Sequence, residues 1–358
     1  MALMSSLRDL ARKIEDLLPR PVRLMEVCGT HTVNIFRYGL RSLFTDKLTL
    51  ISGPGCPVCV TPQEEIDYFI AAASKPDVIL ATFGDMIRVP GSQGSLKEAR
   101  ARGANVKIVY SPLDALKIAK ENPDYKVVFA AVGFETTAPA VAVAVLEARK
   151  EKIPNIYFAV SHRTMPEAMR ALLGSGEVRL DGLILPGHVS TITGARYFSF
   201  VSEEFSLPAV VAGFEAHQIM HGIYLLAKQI AEGRAEVEIA YREAVSWEGN
   251  PMGKQLIRKV FEPCDVRWRG LGLIPQSGLR LRDEFQDFDA KEVLPLELPQ
   301  AKETPGCLCG EIICGRATPP ECKLFAKVCT PETPKGPCMV SSEGTCAAWY
   351  AYGTEHVS

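Results

Sequence analysis

The 358-residue sequence has no excess of charge of one sign, since 40 Lys and Arg residues balance 42 Asp and Glu residues. It therefore lacks the basic patches that are typical of proteins that bind nucleic acid or an anionic membrane. It also lacks a long apolar run: the longest, Ala138 to Leu146, is far shorter than the roughly 20 residues of a transmembrane helix. We expect no nucleic-acid partner and no membrane partner.

Motifs for nucleotide binding are absent as well. Neither a P-loop lysine motif nor a dinucleotide-binding glycine fingerprint occurs, which argues against a nucleotide-driven enzyme. The N-terminus lacks the uninterrupted apolar stretch of a secretory signal, and residues 7–18 instead show apolar side chains at helical spacing with charges between them. We expect a cytoplasmic protein with an N-terminal helix, residues 1–22, packed on the C-terminal domain.

What the sequence does contain is cysteine, at eleven positions. A disulfide framework is not expected in a cytosolic chain, because the cytosol keeps thiols reduced. Three cysteines lie early in the chain, Cys264 stands alone, and seven fall between Cys307 and Cys346. This distribution predicts two separate sites of metal binding or thiol redox chemistry.

Short apolar runs, each followed by a turn and a helical pattern, predict parallel βα units. Turn-forming residues at 121–124 separate two sets of four runs, which predicts an α/β fold with two successive parallel-sheet domains, 23–122 and 123–245. Residues 246–358 are rich in Pro, Gly and then Cys, and predict a small third domain stabilised by a metal centre. The predicted strands are 24–27, 48–51, 78–81, 106–110, 127–132, 156–160, 182–185 and 209–211.

The early cysteines come directly after predicted strands, where open parallel sheets place their ligands. Cys56 and Cys59 form a C-x-x-C pair in the constrained loop GPGCPVC, just before a predicted helix. The positive end of a helix favours the thiolate, so the pair suits either a redox disulfide or a metal ion. Cys28 follows the first strand, and we expect its thiol and the imidazole of His31 to converge with the pair.

Simpler interpretations of these residues stay open. A free cysteine such as Cys28 is often a buried packing residue, although its place beside the C-x-x-C pair favours a site. His31 is equally suited to a ligand or proton-transfer role and to a backbone hydrogen bond within its turn. A structural zinc pair is less favoured, because no second C-x-x-C occurs at zinc-finger distance.

Polar motifs also follow the strands of the second predicted domain. Glu135 lies in GFETT and His188 in PGHVS, and both are expected at the edge of a sheet, where they suit a small polar ligand or a partner protein. We favour a site role for these two residues. Thr136 and Thr137 are better explained as caps of the following helix.

The cysteines of the C-terminal segment lie near Gly and Pro in sequence that is typical of loops. Four thiolates are enough to hold a cubane iron-sulfur cluster. The spacing matches neither the compact ferredoxin run nor paired zinc knuckles, so general rules do not identify the ligands. A structural zinc site is the alternative.

Five motifs in order, MEVCGTHT, GPGCPVCVTP, VGFETTAP, LPGHVSTITG and CTPETPKGPCMVSSEGTCAAWYAYG, resemble the hydrogenase maturation factor HypD family over nearly the whole chain. The resemblance implies a cytoplasmic factor with two α/β domains and a four-iron four-sulfur (4Fe-4S) domain. Its implied role is assembly of the iron-dicyano-carbonyl unit, Fe(CN)2CO, of nickel-iron hydrogenases. The implied partners are a HypC-type small chaperone and a HypE-type cyanide donor.

The resemblance also implies roles for particular residues. Cys28, Cys56 and Cys59 match the site that holds mononuclear iron while the iron acquires cyanide and carbon monoxide. Electrons from the cluster would reach the cysteine pair, with Glu135 and His188 supplying protons or positioning ligands. The family pattern best fits Cys309, Cys322, Cys329 and Cys346 as the 4Fe-4S ligands, with Cys307 and Cys338 as alternatives.

Two other functions fit the same residues. One is a stand-alone iron-sulfur thiol-disulfide oxidoreductase, which would turn over without maturation partners. The other is a passive assembly scaffold, in which the cluster only stabilises the fold.

Overall fold

The computed structural model describes residues 2–353, in which helices alternate with strands over most of the chain. The strands are β1 Val22–Glu26, β2 Leu48–Ser52, β3 Val78–Thr82, β4 Asn105–Ile108, β5 Lys126–Gly133, β6 Ile156–His162, β7 Gly182–Leu185, β8 Ala209–Val211, β9 Val237–Ile239, β10 Phe261–Trp268 and β11 Gly272–Leu281. The α-helices are α1 Ala2–Leu17, α2 Gly29–Arg37, α3 Pro57–Val60, α4 Gln63–Ala73, α5 Leu96–Ala101, α6 Pro112–Glu121, α7 Ala138–Lys150, α8 Met165–Gly174, α9 Gly187–Thr193, α10 Phe200–Phe205, α11 Ala216–Glu232, α12 Pro251–Val260, α13 Ala290–Val293, α14 Cys309–Ile313 and α15 Thr345–Tyr352. Short 3₁₀ turns are Leu40–Leu43, Gly84–Met86, Ala195–Phe198, Asp283–Phe288, Pro319–Glu321 and Pro337–Met339.

Two parallel sheets form the framework. The first sheet has five strands in the order β2-β1-β7-β8-β9, and the second has four in the order β4-β3-β5-β6. Strands β10 and β11 form an antiparallel hairpin. All eight predicted strands are present. Seven of them are largely buried apolar runs, as parallel sheets require, whereas in the edge strand β4 only Val106 is buried. The predicted α/β class with parallel sheets is confirmed.

The two sheets are not successive along the chain, which corrects the predicted order. Strand β1 pairs with β2 on one side and with β7 on the other, so that Met25 lies opposite both Ile51 and Leu183. Strand β3 pairs with β5 across the turn at 121–124, with Ile79 opposite Val127. The second sheet is therefore inserted between β2 and β7. An apolar run indicates that a strand is buried but does not specify its neighbour, which explains the error.

The N-terminal helix packs on the first sheet and not on the C-terminal domain, contrary to the prediction. The apolar face of α1, with Leu7, Ala11 and Ile14, is buried against Ile219 and Ile223 of α11. This helix pair covers one face of the five-stranded sheet. Its burial, and not contact with the cysteine-rich segment, provides the stabilisation expected from an amphipathic helix.

The chain after residue 246 divides between two places, which also differs from the predicted third domain at 246–358. Helix α12 packs on α7, and the β10–β11 hairpin contributes Phe261 and Leu279 to the core of the second sheet. The cysteine-rich stretch 306–352 instead lies over the ends of the first sheet, where α14 contacts α3 and α15 contacts α2. Within residues 2–353, no helix is both long and apolar enough to span a membrane.

Candidate thiol and metal site

Loops that leave the first sheet meet at one edge, because parallel strands place their carboxyl ends together. The loop after β2 is tied to the loop after β1 by two backbone hydrogen bonds. Gly53 N–H donates to Glu26 O at 2.8 Å, and Gly29 N–H donates to Gly55 O at 3.0 Å. The GPGCPVC loop and Cys28 are thus in direct contact, as the sequence predicted.

Gly55 is essential to this contact. A Cβ atom built on Gly55 would lie only 2.5 Å from Cys28 Cα, closer than nonbonded carbon atoms approach. The atoms that this Cβ would meet belong to the backbone of Val27 and Cys28, so neither loop moves aside easily. Glycine at this position therefore lets the C-x-x-C loop approach the backbone of Cys28.

The C-x-x-C pair caps a short helix. Cys56 is the N-cap of α3 and its Sγ accepts from Cys59 N–H at 3.1 Å, while Pro57 occupies the first helical position. The two sulfurs are joined in a disulfide across a Cα–Cα distance of 5.2 Å, and both residues are buried. In this form the pair holds two oxidising equivalents and has no thiolate available for a metal ion.

Cys28 is a free, buried thiol at the start of α2. The backbone N–H groups of Thr30 and His31 lie close to its sulfur, as expected at a helix N-terminus. Burial, and then the nearby carboxylate of Glu343, nevertheless raises the pKa of the Cys28 thiol to about 12. The thiol is therefore protonated at neutral pH until a metal ion or a change in its surroundings removes the proton.

A second carboxyl group lies behind Cys28. Glu26 ends β1, is fully enclosed, and accepts from Cys28 N–H at 3.1 Å and from the Thr32 hydroxyl. Burial raises the pKa of Glu26 to about 8, although its hydrogen bonds with Thr32 and Ser52 oppose that shift. Sequence reasoning missed this residue; its only signal was a charged side chain within the otherwise apolar run 24–27.

His31 is buried with one ring nitrogen bonded and the other without a partner. Its Nε2 lies 2.9 Å from Gly213 O, which is only an acceptor, so Nε2 carries the proton and Nδ1 keeps a lone pair. Burial lowers the pKa of His31 to about 4, so that the ring is neutral. The backbone bond reaches the loop after β8 and not the turn of His31 itself.

His188 joins the same site from the first turn of α9, which follows β7. Its ring stacks on Phe214 with centroids 4.0 Å apart, and Phe214 also contacts the ring of His31 at 4.8 Å. His188 Nδ1 lies 3.4 Å from the hydroxyl of Thr30. Two imidazoles therefore flank one aromatic ring beside Cys28, and burial lowers the pKa of His188.

The C-terminal segment reaches directly into this site, so that the two predicted sites are neighbours. Glu343 accepts from the Thr30 hydroxyl at 2.7 Å. A Cβ atom on Gly29 would overlap the Cβ of Glu343, which means that the segment lies against the helix start without a gap. Nothing in the local sequence marks Glu343, because its role arises from packing between distant parts of the chain.

The C-terminal thiols are grouped but not joined in disulfides. Cys338 is hydrogen-bonded through sulfur to Cys309 and to Cys346, and Cys346 N–H donates to Cys338 Sγ at 3.2 Å. Lys335 N–H donates to Cys329 Sγ at 3.3 Å. The group of six free thiols comprises Cys307, Cys309, Cys322, Cys329, Cys338 and Cys346.

This group fits a thiolate-bound centre in its chemistry. All donors are sulfur, five of the six residues are buried, and backbone N–H groups point to two of the sulfurs, as they do around iron-sulfur clusters. Across residues 2–353, however, no three His, Cys, Asp or Glu side chains converge at the separations of a metal site. Cys338, between Cys309 and Cys346, is as well placed as the four predicted ligands.

Glu135 lies apart from the cysteines. Its Oε1 accepts from Met165 N–H at 2.9 Å, and its Oε2 has no partner among the described residues. Burial raises its pKa to about 7, with the hydroxyl of Tyr197 close by. The structure thus brings Cys28, Cys56, Cys59, His31 and His188 together and leaves Glu135 in a separate cleft.

These features define the protein as an α/β protein with a paired-cysteine site at a sheet edge, covered by a cysteine-rich segment. The model of the family described as "HypD: Hydrogenase formation hypA family" matches residues 5–353. The chain belongs to this HypD family of hydrogenase maturation factors.

Curated relatives cover almost the whole chain. The hydrogenase maturation factor HypD of Escherichia coli is 45% identical over 98% of this chain and 95% of its own length. HypD2 of Bradyrhizobium diazoefficiens is 47% identical over 93% of this chain and 90% of its own length. HypD of Rhodobacter capsulatus is 44% identical over 98% of this chain and 94% of its own length. A solved structure of 2,3-dimethylmalate lyase is 14% identical, with a TM-score of 0.16, over 66% of this chain and 79% of that chain. It is too dissimilar to inform the fold.

Proposed function

We propose that this protein assembles the Fe(CN)2CO unit of nickel-iron hydrogenases at the site formed by Cys28, Cys56 and Cys59. Iron is the cargo, and the three cysteines hold it while it acquires its diatomic ligands. Soft thiolates suit iron, and these three cysteines come from segments that meet at the edge of the first sheet. The HypD names of the curated relatives support a role in hydrogenase maturation.

The observation that carries this proposal is the contact between the two cysteine regions. Thr30 and Gly29 touch Glu343, so the cysteine-rich segment covers the start of the helix that carries Cys28. Helix α14, which begins at Cys309, contacts α3, which contains Cys59. A passive scaffold would not require that its stabilising thiols lie beside a redox disulfide.

The Cys56–Cys59 pair must be reduced before it binds iron. Two electrons and two protons break the S–S bond and give two thiols, and iron binding then displaces the thiol protons. His31 Nδ1 and His188 are bases of the same site that are able to take up such a proton. Glu135 lies in a separate cleft and therefore does not take part in this proton transfer.

A 4Fe-4S cluster, when bound, supplies the single electrons for this reduction, and Cys309, Cys322, Cys329 and Cys346 would hold it, with Cys307 and Cys338 as alternatives. The chain's own residues prepare that centre by excluding water around the sulfurs and by directing N–H groups at Cys329 and Cys338. A HypC-type small chaperone and a HypE-type cyanide donor complete the proposed assembly. An exposed thiol relay to unrelated disulfides is less favoured, because Cys56 and Cys59 are both buried.

The test is anaerobic purification followed by iron and sulfide analysis and Mössbauer spectroscopy of the wild-type chain and a Cys28→Ala variant. We expect cluster iron in both proteins and a distinct low-spin mononuclear iron only in the wild type. Zinc in place of iron would contradict the proposal, as would cluster iron alone in the wild type. Cys264→Ala is the matched control, because that cysteine lies on the hairpin away from both regions.

The oxidoreductase alternative makes an opposite prediction. Complementation of a strain that lacks its own HypD should fail for Cys56→Ala and Cys59→Ala if the pair serves assembly. Turnover of a disulfide substrate by the isolated protein, with unimpaired complementation by these variants, would favour the alternative.

A further inference from the structure

A cleft of about 680 Å³ lies away from the cysteines, between the two sheets. The start of α8 forms one side, and α10 with the preceding 3₁₀ turn forms the second. Helix α12 and the β10–β11 hairpin close the remaining sides. Its volume is in the range typical of pockets for small molecules. None of the described cysteines lines it.

Glu135 lies at the floor of this cleft. Its side chain is almost completely enclosed, with 2% of the residue exposed, and Oε2 has no hydrogen-bond partner among the described residues. A buried carboxyl oxygen without a partner is costly, and stable folds rarely retain one without a use. The hydroxyl of Tyr197 lies near the same carboxyl group and also lines the cleft.

The walls above Glu135 are apolar in part. Pro166, Phe200, Ile257 and Phe261 line them from four different elements, and charged and hydroxyl-bearing side chains line the rest. An apolar wall beside a buried polar group is the usual arrangement of a site for an amphipathic small molecule. The polar group fixes the orientation of the ligand, and the walls bury its body.

Two of the four cations that line the cleft, Arg170 and Arg196, are paired with carboxylates, whereas Lys254 and Arg258 form no ion pair among the described residues. Arg170 binds Glu204 at 2.7 Å and Glu167 at 2.8 Å, and Arg196 binds Glu248 at 2.8 Å. At the floor, the ionised Glu135 carboxylate would repel a carboxylate ligand. In this ionised form Glu135 is only an acceptor, so the complementary ligand group is a donor.

We propose that this cleft binds a small molecule that presents an N–H donor group, an amine or a primary amide, on an apolar body. Its nitrogen donates to Glu135 Oε2, and its body lies against Phe200, Ile257 and Phe261. The inference does not depend on the proposed iron chemistry, because the cleft shares no residue with the cysteine site. Failure of one proposal leaves the other intact.

The experiment uses four probes of similar size and ligand-observed NMR on the full chain. Benzylamine and benzamide carry N–H donors, anisole carries none, and benzoate is an anion. We expect the two donors to bind with dissociation constants in the millimolar range or tighter. Anisole and benzoate should bind at least about tenfold more weakly, because a hydrogen bond to a charged group contributes about 1.5–3 kcal/mol.

Two variants locate the binding. Glu135→Gln should weaken the binding of benzylamine by about tenfold or more, since it removes the charge-assisted hydrogen bond. Ile257→Trp should prevent binding of every probe by filling the cleft while leaving Glu135 untouched. Glu203→Gln is the matched control, because that carboxylate lies exposed at the rim of the same cleft and should not affect binding.

Other outcomes would overturn the proposal. These are binding of anisole or benzoate as tight as that of benzylamine, benzylamine binding that Glu135→Gln leaves unchanged, or no binding of either donor. If Glu135→Gln does not fold, the decision rests on the wild-type probe series and on Ile257→Trp, which by itself must abolish the signal.

Discussion

The two cysteine regions of this protein are held in place in different ways. Cys28, Cys56 and Cys59 sit at the ends of parallel strands, in loops fixed by backbone hydrogen bonds and by the close approach of Gly55. The cysteine-rich stretch 306–352 has two short helices and a few 3₁₀ turns, and no strand, among its described residues. The first region is positioned by the sheet, and the second largely by contacts among its own loops and thiols.

This difference implies different dependence on bound metal. A site built on a sheet keeps its geometry when its thiols are oxidised, as the Cys56–Cys59 disulfide illustrates. A segment with little regular structure has few backbone hydrogen bonds to replace the cross-links that a metal centre provides. The first region is thus suited to change between disulfide and dithiol, and the second to hold its metal centre permanently.

Loss of a thiol from the second region should have the largest effect. We expect Cys329→Ala to raise hydrogen exchange by orders of magnitude throughout 306–352 while the two sheets stay protected, because metal-bound segments fold together with their metal. Hydrogen exchange with mass spectrometry of the anaerobic protein measures this. Cys264→Ala is the control, because it makes the same chemical change outside both regions. Equal hydrogen exchange in the two variants would show that the second region does not depend on metal more than the rest of the protein.

Overpacking of the first region should have the next largest effect. Gly55→Ala places a Cβ atom about where the Cys28 backbone lies, and we expect a loss of about 1–3 kcal/mol in the free energy of unfolding. Urea denaturation measures the change. Gly84→Ala is the control, since its nearest neighbour would be Ile108 at 3.8 Å, an ordinary contact. A loss below about 0.5 kcal/mol for Gly55→Ala would mean that the loop is less rigid than described.

Acid should destabilise the sheets but not the cysteine-rich stretch. Burial lowers the pKa of His162 from 6.5 to about 3, so below pH 6.5 the unfolded chain binds a proton that the folded chain does not. The contribution of His162 to stability is therefore complete above pH 6.5 and falls by on the order of 1 kcal/mol for each pH unit below it. His162→Asn should flatten that slope in urea denaturation, whereas the exposed His221→Asn should not. No histidine lies in 306–352, so region-resolved exchange should show the sheets opening first.

The smallest effect is expected where the two regions touch. Glu343→Ala removes the hydrogen bond from Thr30 and should cost about 1 kcal/mol of stability. It should also make alkylation of Cys28 by iodoacetamide severalfold faster, because Glu343 covers the start of α2; mass spectrometry of the reduced protein gives the rate. Glu311→Ala alters another carboxylate of the same segment, paired with Arg316 on the surface, and should leave the rate unchanged. An unchanged rate for Glu343→Ala would show that the regions are independent.

Local features of the fold were predictable from the sequence, and its long-range features were not. Each of the eight predicted strands is present, because apolar periodicity depends on the segment itself. The pairing of β1 with β7 was missed, since strands buried on both faces carry no pattern that selects a neighbour.

The same limit applies to the site. The contact of Cys28 with the C-x-x-C loop followed from strand ends and turn residues. Glu343 and Tyr197 were missed because each acts only through the partner that packing gives it. Glu135 was predicted to follow a strand, and it does follow β5, but no sequence signal separated its cleft from the cysteine site.

The order of the strands along the chain has a consequence for synthesis on the ribosome. The inserted four-stranded sheet has all its strands once residue 162 has emerged, whereas the five-stranded sheet must wait for β7, β8 and β9. Domains fold as their last elements leave the exit tunnel, so the strands of the inserted sheet are able to pair first, and the five-stranded sheet is completed afterwards. Glu343 emerges near the very end of translation. Until then, the cysteine-rich segment does not cover Cys28 in the nascent chain.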